Sequence, residues 1–74
     1  MQRHAVYTAW RDPYWVNLIE GSNIPFTSDR ERADAIENGR VLAQARGCEH
    51  VVLRKDGSTE YAERFGPAPR APRS

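Results

Sequence analysis

The sequence predicts a small α+β domain of order ββαββ, an antiparallel sheet of two hairpins with one helix packed on one face. Three observations carry that prediction. Two segments rich in β-branched and aromatic residues flank Asp12-Pro13, a helical apolar stripe fills the middle, and Asp56-Gly57 separates two further strand-like segments. A length of 74 residues allows one core and not two.

The first strand is expected over His4 to Trp10 and the second over Tyr14 to Glu20, with Arg11-Asp12-Pro13 as the turn. Alternation along the second strand sends Trp15, Asn17 and Ile19 to one face and Tyr14, Val16 and Leu18 to the other. Both faces therefore keep apolar members. Gly21-Ser22-Asn23-Ile24-Pro25 breaks the strand, and Ser28 followed three residues later by Glu31 matches a capping box. The helix is expected over Asp29 to Arg46, ended by Gly47. At 100° per residue, Arg32, Ala35, Ile36, Gly39, Leu42, Ala43 and Arg46 share one arc that faces the sheet. Gly39 lies near the middle of that arc, where a missing side chain permits close approach to the strands.

Glu49 to Lys55 and Ser58 to Arg64 read as the second hairpin, joined by Asp56-Gly57 as a two-residue type I′ turn. That turn sets the pairs Lys55 with Ser58, Arg54 with Thr59, Leu53 with Glu60, Val52 with Tyr61, Val51 with Ala62 and His50 with Glu63. A single helix covers only one face of such a hairpin. After Gly66 the composition turns to three prolines and two arginines with no acid, which reads as a disordered or polyproline-II tail over 67–74 beyond a domain of 1–66.

Several of these segments together resemble a known family. Trp15-Val16, the helical run Ala35 to Ala43, the segment Glu49 to Gly57 and the closing Arg64-Phe65-Gly66 are similar to a bacterial domain-of-unknown-function family, number 2188 in that series. The likeness spans about Val6 to Gly66. It implies the ββαββ order and no particular activity. Here Gly66 is followed by Pro67-Ala68-Pro69, where the family pattern commonly continues with Asp-Pro, and the run from Ser28 to Asp34 is a residue or two longer than usual.

Composition narrows the function classes. One cysteine forms no internal disulfide, and the start of the chain has no apolar leader, so a cytoplasmic protein without a membrane span is expected. No nucleophile elbow, glycine-rich phosphate loop or HExxH motif is present. Cys48 and His50 stand two apart but lack an orienting third group, and with His4 they match no zinc spacing. Neither catalysis, a cofactor nor a metal is therefore expected. Ten of the eleven basic residues are Arg, yet the net charge is only +1. A nucleic-acid interface is the alternative reading, using Arg54, Lys55, Arg64, Arg70 and Arg73. The favoured expectation is a non-enzymatic interaction module, self-associating or binding another protein through the open face of its sheet. Trp15, Val52 and Tyr61 are its candidate interface residues.

Overall fold

A computed structural model describes residues 4–66 of the chain. Within them the elements are β1 (Val6–Arg11), β2 (Tyr14–Ile19), β3 (Thr27–Asp29), α1 (Arg32–Arg46), β4 (Glu49–Leu53) and β5 (Thr59–Arg64). The strands form one mixed sheet in the order β3-β2-β1-β4-β5. The helix packs on one side of β1 to β4.

Both expected hairpins form. β1 and β2 pair antiparallel from Val6↔Ile19 to Arg11↔Tyr14, across a two-residue turn whose Asp12–Pro13 peptide is cis. They belong to one sheet, but the expectation of an all-antiparallel arrangement is corrected: β1 and β4 run parallel, with Val6↔His50, Tyr7↔Val51 and Thr8↔Val52. The reason lies in the crossover. α1 runs back over the sheet between β3 and β4, so those two strands point the same way, and β4 lands beside β1.

The helix entry also differs from expectation. Thr27–Asp29 forms an edge strand on β2, with Val16↔Ser28 at its centre, so Ser28 is spent on sheet pairing and makes no capping box. Glu31 is the N-cap, its backbone extended and without a side-chain cap bond, and the helix starts at Arg32 rather than Asp29. Asp29 instead accepts a hydrogen bond from Asn38 of α1 at 2.9 Å. The C-terminal end is as expected: Gly47 is left-handed, and the amides of Gly47 and Cys48 bond the carbonyls of Gln44 and Ala43.

The apolar stripe of α1 resolves into a spine of small residues, Ala35, Gly39 and Ala43, all buried. At its C-terminal end Ala43 meets Val6 and Cys48, with Leu42 and Phe65 packed alongside. Burial of Val6 and Val52, both fully inaccessible, contributes about 1.5–3 kcal/mol each.

The second hairpin turns one residue earlier than a type I′ turn requires. The Gly57 amide bonds the Arg54 carbonyl, the Arg54 amide bonds the Ser58 carbonyl, and Gly57 alone takes a positive φ of 92°. This is a three-residue loop, so Leu53 pairs with Thr59. A bulge between Val52 and Leu53 then absorbs Glu60, and from Val52↔Tyr61 to His50↔Glu63 the register is the expected one. The tail expected to be disordered lies outside the described residues.

Candidate functional site

Two surfaces follow from the alternation of side chains: a helix face, carrying Val6, Thr8, Trp10, Trp15, Asn17, His50 and Val52, and a back face away from α1. At the centre of the helix face sits a polar cluster rather than an apolar one. Thr8, Asn17 and His50 are 0%, 0% and 1% exposed. Every buried side-chain nitrogen and oxygen among the described residues has a hydrogen-bond partner.

The direction of each bond in the cluster is fixed by donor and acceptor chemistry. The Ala35 carbonyl only accepts, so the Asn17 atom 2.8 Å from it is Nδ2, which also donates to Thr27 Oγ1 at 2.9 Å. Asn17 Oδ1 therefore faces Thr8. An amide oxygen only accepts, so the Thr8 hydroxyl donates to it across 2.5 Å. That uses the one hydroxyl proton. His50 Nε2, 2.7 Å from Thr8 Oγ1, must then carry a hydrogen and donate. Burial pushes His50 below its ordinary value of 6.5, Glu63 across the hairpin pulls it up, and Arg40 on α1 pushes it down.

This wiring runs opposite to that of a nucleophile and its base. His50 donates to Thr8 through Nε2, so that nitrogen does not take the hydroxyl proton. Cys48 is buried against Val6 and Ala43, packed as a small apolar residue just before β4. Among the described residues no group of three or more His, Cys, Asp or Glu side chains is placed to hold a metal ion.

Of the three interface residues expected from sequence, two lie inside the chain. Val52 is 0% exposed beneath α1, and Trp15 is 7% exposed, with the Arg32 guanidinium 5.1 Å over its ring. Only Tyr61, 43% exposed, presents substantial surface, and it stands on the helix face of β5, beyond the helix. Trp15 and Val52 are thus corrected from interface to core. Alternation had left open which face the helix would cover; the polar cluster under Gly39 fixes it.

The back face carries a second apolar layer, part of it already covered: Val16 is 3% exposed and Val51 7%. Leu18, Tyr7, Val51 and Ala62 lie in one cross-strand row over β2, β1, β4 and β5, spanning roughly 14 Å at about 4.8 Å per strand. Arg11, also on this face, donates to the Asn23 carbonyl at 2.9 Å. Since Arg11 sits at the far end of β1 from the β2–β3 loop, this bond draws that loop back across the face. The loop displays Ile24, 77% exposed, and leads into Phe26, 59% exposed, with Tyr14 at 37% near the β1–β2 turn. Neither Ile24 nor Phe26 is among the three interface residues expected from sequence, although Ile24-Pro25-Phe26 is an apolar run inside a loop.

The described basic candidates do not converge. Arg54 bonds Ser58 Oγ and the Thr59 carbonyl at the hairpin turn, and the Lys55 ammonium lies 4.4 Å over the Trp10 ring. Arg64 sits opposite Glu49 at the other end of β5, roughly 17 Å from Thr59 at about 3.4 Å per residue. Arg70 and Arg73 lie outside the described residues. No described helix is long and apolar enough to cross a membrane. Comparison of the chain with protein-family models, curated proteins and solved structures found no match.

Proposed function

We propose that the chain is a non-enzymatic interaction module that self-associates through the back face of its sheet. One observation carries this reading: Tyr14 stands exposed on the back face, and Ile24 and Phe26 are exposed on the loop that the Arg11–Asn23 bond draws across it. The sheet edges are less suited to pairing. β3 is three residues long, while β5 carries a bulge and the charges Glu60, Glu63 and Arg64. A small domain that leaves large apolar side chains exposed around one side gains most by burying them against a twin.

Sedimentation equilibrium from micromolar to millimolar chain tests the proposal. The expected result is a monomer–dimer equilibrium that Phe26→Asp and Ile24→Asp each weaken at least tenfold, with far-UV circular dichroism unchanged because both side chains are solvent-facing. A strict monomer over the whole range would overturn it. The nucleic-acid reading predicts instead that deleting the chain after Gly66 abolishes a salt-sensitive shift of an oligonucleotide while leaving association untouched.

A further inference from the structure

We infer that His50 makes the domain acid-sensitive: it donates into the hydrogen-bond chain that ties sheet to helix under α1, and a second proton on its buried ring loosens the domain in acid. The chain runs from His50 Nε2 to Thr8, from Thr8 to Asn17 Oδ1, and from Asn17 Nδ2 to the Ala35 carbonyl of the helix. It crosses β4, β1, β2 and α1 in three bonds. Since Nε2 already holds its hydrogen, an added proton goes to Nδ1 and places a full charge in a side chain that is 1% exposed.

The charged groups acting on His50 come from two elements and oppose one another. Glu63 on β5 is its cross-strand partner and favours the proton, whereas Arg40 on α1 disfavours it. From β1 it faces the neutral Thr8 and its register partner Val6, and the β2 residue bonded to Thr8 is the neutral Asn17. Burial outweighs Glu63, so the folded imidazole titrates below the 6.5 of the unfolded chain. Between those two values the unfolded chain holds more protons than the folded one. Stability is therefore complete above pH 6.5, falls as pH drops toward the folded value, and levels off below it.

The test is imidazole nitrogen NMR on the full chain, joined to urea unfolding between pH 7.5 and 5. At pH 7.5 the expected tautomer of His50 carries its hydrogen on Nε2, and its titration midpoint lies below 6.5. The unfolding constant should rise by up to tenfold per pH unit in the window below 6.5. His50→Gln keeps an amide donor for Thr8 and removes the titration, so its slope should be shallower. A hydrogen on Nδ1 at neutral pH, a midpoint at or above 6.5, or equal slopes in parent and variant would each overturn the inference. Should His50→Gln not fold, the tautomer and midpoint of the parent chain still decide it.

Discussion

A methyl group added at Gly39 would stand 2.6 Å from His50 Nε2, 2.7 Å from Thr8 Oγ1 and closer still to Asn17 Oδ1. All three neighbours are buried and bonded to one another, so none can swing aside without breaking a hydrogen bond. Gly39→Ala gains about 1 kcal/mol of helix propensity. Against that stand about 1–3 kcal/mol for overpacking and a similar amount for an orphaned buried polar group. The expected outcome is a net loss of about 2 kcal/mol, read as a lower urea midpoint; an unchanged midpoint would mean that α1 lifts from the sheet without cost. The close approach at Gly39 was legible in the sequence, because a glycine in the middle of an apolar stripe has few other uses. What it approaches was not. Thr8, Asn17 and His50 are polar, and nothing in their spacing says that three strands will bring them to one buried point.

At the level of elements, the β4–β5 hairpin shows how a local signal is read correctly and still misplaces residues. Asp-Gly announces the turn, and the pairs from Val52↔Tyr61 to His50↔Glu63 follow from it. The turn itself differs because Asp56 keeps a negative φ and uses its carboxylate to accept from the Ser58 amide and hydroxyl at 2.9 and 2.7 Å. Those bonds hold Asp56 below the usual carboxylate range. One residue is thereby added to the loop and returned by the bulge at Glu60. The bulge matters for α1, since Glu60 pairs with Arg32, and Arg32 in turn lies over Trp15. Only Gly57 takes a positive φ here, so Gly57→Ala is expected to cost about 1–2 kcal/mol in the same unfolding assay. A smaller cost would mean that the loop slips to the two-residue form. The helix start was misread for a related reason: Ser28 and Glu31 carry a genuine capping pattern, but β2 offers Thr27–Asp29 a strand partner, and pairing wins.

For the molecule as a whole, α1 reaches β1 to β4 and leaves β5 uncovered, with all six of its residues exposed. Protection should follow that division. In native-state hydrogen exchange, amides of β1, β2 and β4 are expected to exchange only through global opening, while those of β5 open at lower free energy. Equal protection of β4 and β5 would show that the edge strand is held by more than its own ladder and the Arg32–Glu60 pair. The division also explains what the sequence could say about a binding face. Apolar residues on both sides of the strands announced a second surface. The assignment of Trp15 and Val52 to it failed because that choice depends on which side α1 lands.

The parallel pairing of β1 with β4 has a consequence for how the chain reaches this state. Val6 and His50 are neighbours in the sheet but lie 44 positions apart, and closing a loop of that length costs about 3 kcal/mol of entropy before any contact repays it. Each hairpin and the helix can form from residues close in sequence. The seam between β1 and β4 cannot, so it is the slow step expected in folding. The strand pair at the centre of the finished sheet is then the last to be joined.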